Sequence, residues 1–172
     1  SIRHTSPLML IEALDLVFDK MKEERLDLCL IKAIKVDAMQ HCTVYVNWRF
    51  GKIIDALKSN ASLCEQLTAC LSRSSSPIWE DRSTAKETET LADAIAGKKG
   101  ISALTGNRAE LRFPAAQIMK WGRENPDEYN ATQRIFLLSA FMTSILSGRI
   151  CSVDTGDGWG TNLNHLNIEQ PG

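Results

Sequence analysis

Between Arg134 and Arg149 the chain carries no charge for fourteen residues, Ile135 to Gly148. Such a run belongs in an interior. With three serines and a threonine in it, the run also falls well short of the ~20 apolar residues that cross a bilayer. It predicts a buried helix over Thr132 to Ser147, closed by Gly148, and therefore a packed core rather than a membrane anchor. A length of 172 residues matches one domain at a prior of ~150 residues each. The apolar share of 44% and charged share of 24% are those of a globular protein.

Twenty basic residues against twenty-one acidic ones leave a net charge of −1. A dedicated nucleic-acid binder gathers a basic excess, and an anionic membrane surface attracts polybasic segments. Neither partner is expected. The five cysteines, Cys29, Cys42, Cys64, Cys70 and Cys151, include no C-x-x-C pair and no partner histidines at zinc spacing. They are expected to be reduced thiols, most of them small buried hydrophobes, in a cytoplasmic setting. No metal site and no secretory signal are predicted.

Ser6 and Pro7 read as the cap and first position of a helix. Leu8, Ile11, Leu14, Phe18 and Met21 then repeat at helical spacing as far as about Glu24. Two Ile/Val-rich runs follow, Leu28 to Val36 and Cys42 to Val46, both expected as strands. Helices are expected over Trp48 to Leu57 and Ala61 to Leu71, and Ser72 to Pro77 reads as a loop. Thr84 and Glu87 have the spacing of a capping box. They would open a helix that turns Leu91, Ala92, Ile95 and Ala96 inward and stops at Gly97. Another helix is bounded by Pro114 and Pro126. From Cys151 the glycine-rich tail shows only weak periodicity.

Several motifs fail on their chemistry. Asp154-Thr155-Gly156 lacks the second carboxylate of an aspartic-protease dyad. Asp154 and Asp157 lack the alternating ligands and closing Glu of a calcium loop. Gly97-Lys98-Lys99-Gly100 is no P-loop, since no hydroxyl residue follows the lysine. Of the three histidines, His4 sits at a chain end expected to be disordered and His165 in the tail. His41 lies at a strand–loop junction, where a sheet can aim a functional side chain. Arg108 and Arg112 flank a segment whose plainest account is a salt-bridged surface turn.

A series of blocks carries a resemblance. Ser6-Pro7 leads a helix, and Gln40-His41 precedes Val44-Tyr45. Next come Pro77-Ile78-Trp79-Glu80-Asp81-Arg82-Ser83-Thr84 and Leu104-Thr105-Gly106-Asn107-Arg108-Ala109-Glu110-Leu111-Arg112-Phe113. Gln117-Ile118, Asn125-Pro126-x-x-Tyr129, Thr132-Gln133-Arg134-Ile135 and Asp154-x-x-Asp157-x-x-Gly160-x-Asn162-Leu163 follow in order. Together they resemble the first, sugar-binding domain of the FGGY carbohydrate kinases, in particular the eukaryotic-type xylulose-kinase branch.

The resemblance implies an α/β, ribonuclease-H-like domain of the actin and hexokinase type, incomplete here, with several helices around a small mixed sheet. Residues 1–172 would be part of the N-terminal domain, without its first strands and without the C-terminal ATP-binding domain that would be its partner. It implies D-xylulose as the sugar and ATP with Mg²⁺ as phosphoryl donor. His41 and Arg112 would contact the sugar, with Gln40 and Asp81 as further candidates. The catalytic base would lie beyond Gly172, so no catalytic residue is expected in this chain. Ala38 and Cys42 stand where the family places glycines around the histidine loop. A non-catalytic sugar-binding or interaction module, and a sister kinase for another ketose or polyol, are the alternatives.

Overall fold

In the computed structural model, which describes residues 1–167, a two-residue strand, β1 (His4–Thr5), leads into helix α1 (Pro7–Glu23). Pro7 takes the first helical position, where its missing amide hydrogen costs nothing. Ser6 precedes it in extended backbone, but its hydroxyl caps no amide. Ile11 is fully buried, with Leu8 and Leu14 packed beside it.

Leu28 to Val36, expected as a strand, is not one. It makes a single 3-10 turn over Leu28–Leu30 and continues as chain without a ladder partner among the described residues. β-forming side chains make a strand only against a neighbouring edge. With no such edge, Leu30 and Ile34 stand 72% and 60% exposed.

Strand β2 (Thr43–Val46) is buried along its whole length. Helices α2 (Arg49–Ile54) and α3 (Leu63–Leu67) follow, with a 3-10 turn at Thr68–Cys70. A reciprocal capping box does occur, but at Ser62 and Glu65. At Thr84, where the box is expected, the hydroxyl instead donates to the Leu111 carbonyl, and Glu87 is taken by Arg123 at 2.6 Å. Tertiary partners have claimed both side chains.

The loop after residue 72 contains β3 (Ser76–Pro77), antiparallel to β1. His4 is therefore in a strand and not at a disordered end. Helix α4 (Ala85–Ala94) stops before Gly97, and left-handed Ala96 and Gly97 turn the chain straight into α5 (Gly97–Thr105). At Gly100 a Cβ would sit 1.6 Å from the Ile95 carbonyl oxygen, so only glycine allows this reversal. Helices α6 (Pro114–Glu124) and α7 (Pro126–Asn130) come next.

The uncharged run then divides. Arg134–Leu137 is strand β4, and only Leu138–Ser147 is helix, α8, closed by left-handed Gly148. β4 pairs antiparallel with β2, Tyr45 opposite Ile135 and Val44 opposite Phe136. That cross-strand partner, distant in sequence, overrides the helical reading of residues 132–137. The tail forms one further short helix, α9 (Thr155–Trp159), capped by Asp154.

One small mixed sheet was expected. Among the described residues the strands make two antiparallel pairs, β1–β3 and β2–β4. The far side of β2 is partly covered by residues 70–72, through Asn47 N–H to Cys70 O at 2.8 Å and Ser72 N–H to Tyr45 O at 3.0 Å. Val44 and Val46 join the core with Phe50, Phe136, Phe141 and Ile145. On the opposite face the Tyr45 ring holds the buried Arg73 guanidinium, which lies 4.0 Å from the Trp121 ring centre. All five thiols are free: Cys42 and Cys70 are buried, Cys64 and Cys151 half-buried, and Cys29 exposed. No helix among the described residues is long and apolar enough to cross a membrane.

Candidate functional site

His41 closes the turn that feeds β2, and Arg112 stands two residues before Pro114 opens α6. Both line one hollow of about 340 Å³, together with Met39, Gln40 and Trp79. The His41 Nδ1 lies 2.8 Å from the Gly160 carbonyl oxygen, and its ring packs on Phe113 with centroids 4.7 Å apart. The backbone at His41 is left-handed, with φ of 62°, a conformation that costs a non-glycine residue about 1 kcal/mol. Neither Ala38 nor Cys42 is left-handed. The glycines they replace are thus not required by the backbone angles here. Cys42 is a core residue whose thiol is pushed up to about 11 by burial.

Burial also holds the His41 imidazole below its ordinary 6.5. Arg112 adds to that effect, while the Gly160 carbonyl, Asp157 and Glu110 act against it. Across the hollow, the Arg112 Nε is buried without a hydrogen-bond partner among the described residues. An orphaned donor of that kind costs roughly 1–3 kcal/mol until something accepts from it. The hollow is therefore lined by an imidazole held towards its neutral form, by the Arg112 guanidinium and by the indole of Trp79, which is 49% exposed. That combination suits an uncharged polyol, whose hydroxyls donate and accept while its C–H faces pack on rings.

Gln40 is exposed on the rim. Asp81 is not in the hollow. It is fully buried and accepts from the Arg3 amide, from the Ser83 amide and hydroxyl, and from Gln117 Nε2. Its neighbour in β1, His4, is 3.5 Å away. Burial alone would raise the Asp81 carboxyl, but these donors together outweigh it and bring it to about 2. Asp81 ties β1, the Trp79 loop and α6 together and acts on the hollow only through them. Arg108 makes the expected surface pair, with Glu110; Arg112 does not share in it. Sequence reasoning left out Trp79, Met39 and Gly160, although Trp79 and Gly160 lie inside blocks that carry the resemblance. A larger hollow of about 560 Å³ runs beside β4, past Tyr129, Ile135 and Leu163, and contains none of the expected residues. Among the described residues no three His, Cys, Asp or Glu side chains converge as metal ligands.

Comparison with known proteins decides the kinship. A xylulose kinase of Rattus norvegicus is 40% identical to this chain over 162 residues, which is 92% of the chain. The chain is a xylulose-kinase homologue. A xylulose kinase of Schizosaccharomyces pombe is 37% identical over 94% of it, and xylulose kinase 2 of Arabidopsis thaliana 36% identical over 98%. The homologue spans about 30% of the length of these relatives. No family model matches. A solved xyloylose kinase from Brucella ovis shares the fold over 95% of the homologue and 29% of its own chain, with a TM-score of 0.67 and 15% identity.

The homologue should lose stability in mild acid. His4, like His41, is held below 6.5 first by burial; Arg73 and Lys120 assist and Asp81 opposes. The unfolded chain takes up these protons at about 6.5, before the folded one does. Stability from both histidines is therefore complete above that pH and is lost as pH falls through their lower folded values. Urea unfolding at pH 7.5 and 5.5 should show a lower midpoint at 5.5. A His4→Gln, His41→Gln double variant should flatten the difference.

Proposed function

We propose that this chain is part of the sugar-binding domain of an FGGY-type carbohydrate kinase with a ribonuclease-H-like α/β fold. The whole protein would transfer the γ-phosphate of ATP to D-xylulose, giving D-xylulose 5-phosphate. The observation that carries this reading is the convergence of His41 and Arg112 on one hollow, in a chain with xylulose-kinase relatives. A guanidinium supplies donors in a fixed fork, and a neutral imidazole both donates and accepts, so the two together orient a ketose.

In the transfer, a sugar hydroxyl oxygen bonds to the γ-phosphorus as the bond to the ADP oxygen breaks. The hydroxyl proton goes to a carboxylate base, which this proposal places, with the ligands of ATP and Mg²⁺, in polypeptide outside this chain. The run from Leu28 to Ile34, exposed and without a ladder partner among the described residues, supports reading residues 1–172 as part of a larger domain. Five free thiols go with a cytoplasmic setting.

Calorimetry with D-xylulose tests the site. The chain should bind it, and His41→Ala and Arg112→Ala should each weaken binding roughly tenfold or more. A chain that is folded by circular dichroism and yet gives no heat overturns the sugar site. ADP release from the longer polypeptide, assayed across ketoses and polyols, then sets the substrate.

A further inference from the structure

The block Asp154 to Gly160 fails as a protease loop and as a calcium loop, yet it packs against His41. We propose that this turn is a positioning element for His41: it fixes the imidazole in the Nδ1–H tautomer and leaves Nε2 as an acceptor for a substrate hydroxyl. The inference rests on the reading of His41 as a sugar contact and specifies what that contact does.

The chemistry of the Gly160 contact requires this tautomer. A backbone carbonyl oxygen only accepts, so a 2.8 Å contact between it and Nδ1 puts the proton on Nδ1. In a neutral ring the other nitrogen then carries a lone pair. The carbonyl is itself held in place. The Gly160 amide donates to Asp157 O at 3.1 Å, and the Asp157 carboxylate accepts from the Ser139 hydroxyl at 2.5 Å. Asp154 caps the turn through the Gly156 amide at 2.9 Å, and the next residue, Thr161, accepts from the Ala115 amide in α6.

The absence of a side chain at Gly160 matters as much as its carbonyl. A Cβ there would stand 2.9 Å from His41 Cε1, closer than carbon atoms pack, and 3.3 Å from Nδ1, so the ring would have to shift. Phe113 lies against the His41 ring, and the left-handed backbone sets its starting direction. The ring is thus constrained by a contact, a hydrogen bond and its own φ. His41 then offers a lone pair at Nε2, so the site distinguishes a hydroxyl that donates from a group that only accepts.

The test is made on the full chain labelled with ¹⁵N-histidine. Long-range ¹H–¹⁵N spectra at pH 7.5 should show His41 with a protonated Nδ1 and a bare Nε2; a protonated Nε2 in the unaltered chain overturns the proposal. Gly160→Ala should mix the tautomers and weaken D-xylulose binding about tenfold, and the His41→Ala, Gly160→Ala pair should bind no worse than His41→Ala alone. Additive losses, or an unchanged tautomer in folded Gly160→Ala, would count against positioning. On adding D-xylulose, the Nε2 signal should move. A sugar that leaves it unmoved, with Nδ1 still protonated, overturns the sugar reading and leaves the positioning intact. A fluoro analogue of D-xylulose that accepts but cannot donate should bind about tenfold more weakly wherever it replaces the hydroxyl facing Nε2. If every fluoro analogue binds as well as the sugar, the acceptor role is wrong.

Discussion

Replacing Asp81 with asparagine should cost about 3 kcal/mol of folding stability, because hydrogen bonds to a buried charge are worth roughly 1.5–3 kcal/mol each. The carboxylate is surrounded by donors from Arg3, Ser83 and Gln117. An amide turns its N–H₂ group either to the Arg3 amide or to the Ser83 and Gln117 donors, so one acceptor oxygen is lost and at least one donor is opposed. For a domain of this size the melting temperature should fall by about 6–12 °C. The pH signature separates this loss from a generic one. With the folded carboxyl at about 2 against an ordinary value near 3.9, the unaltered chain keeps the contribution above pH 4. It loses it as pH falls towards 2. Asp81→Asn has no such step. D-xylulose affinity should fall in parallel with the disorder of the Trp79 loop and α6, since Asp81 touches neither His41 nor the hollow. An Asp81→Asn chain as stable as the unaltered one would mean that the donors are satisfied without it.

The second large effect belongs to Phe141. Its ring stacks on Phe50 at 5.4 Å and lies 6.1 Å from Phe136, while Phe50 and Phe136 meet edge-on at 5.3 Å. The three rings join α2, β4 and α8. Phe141 is fully buried, so Phe141→Ala should cost about 4 kcal/mol, the transfer loss plus a cavity that this packing cannot close. The urea midpoint should drop with the slope unchanged. Phe141→Leu should cost much less. Because α8 begins beside Ser139, which donates to Asp157, Phe141→Ala should also broaden the His41 signals. A cost under about 1 kcal/mol would show that the rings repack freely.

Local chemistry made much of the chain legible. Pro7 and Pro114 mark helix starts because a proline amide has nothing to donate, and Gly148 marks a helix end because its backbone is left-handed. Val44, Tyr45 and Val46 announce a strand by their branched and aromatic side chains. His41 and Arg112 were picked out as residues that suit a polyol, through motifs whose order resembles one kinase family.

Sequence failed where a partner distant in the chain made the choice. Residues 134–137 fall in the stretch read as one buried helix, yet β2 pairs with them as a strand. Leu28 to Val36 has strand composition and finds no edge among the described residues. Thr84 and Glu87 have capping spacing, but Leu111 and Arg123 take their polar groups. Asp81, a further candidate for the sugar, is enclosed by donors from Arg3 and Gln117 on two other segments and from its own neighbour Ser83.

By itself, then, the sequence determined several helix starts and ends, which follow from side chains and their nearest neighbours, while the sugar candidates came from the family resemblance of its ordered motifs. Only the tertiary structure decided that His41 meets Gly160, that the Arg112 Nε has no acceptor among the described residues, and that Trp79 lines the same hollow. Those facts depend on distances between segments far apart in the chain, which local propensity does not encode.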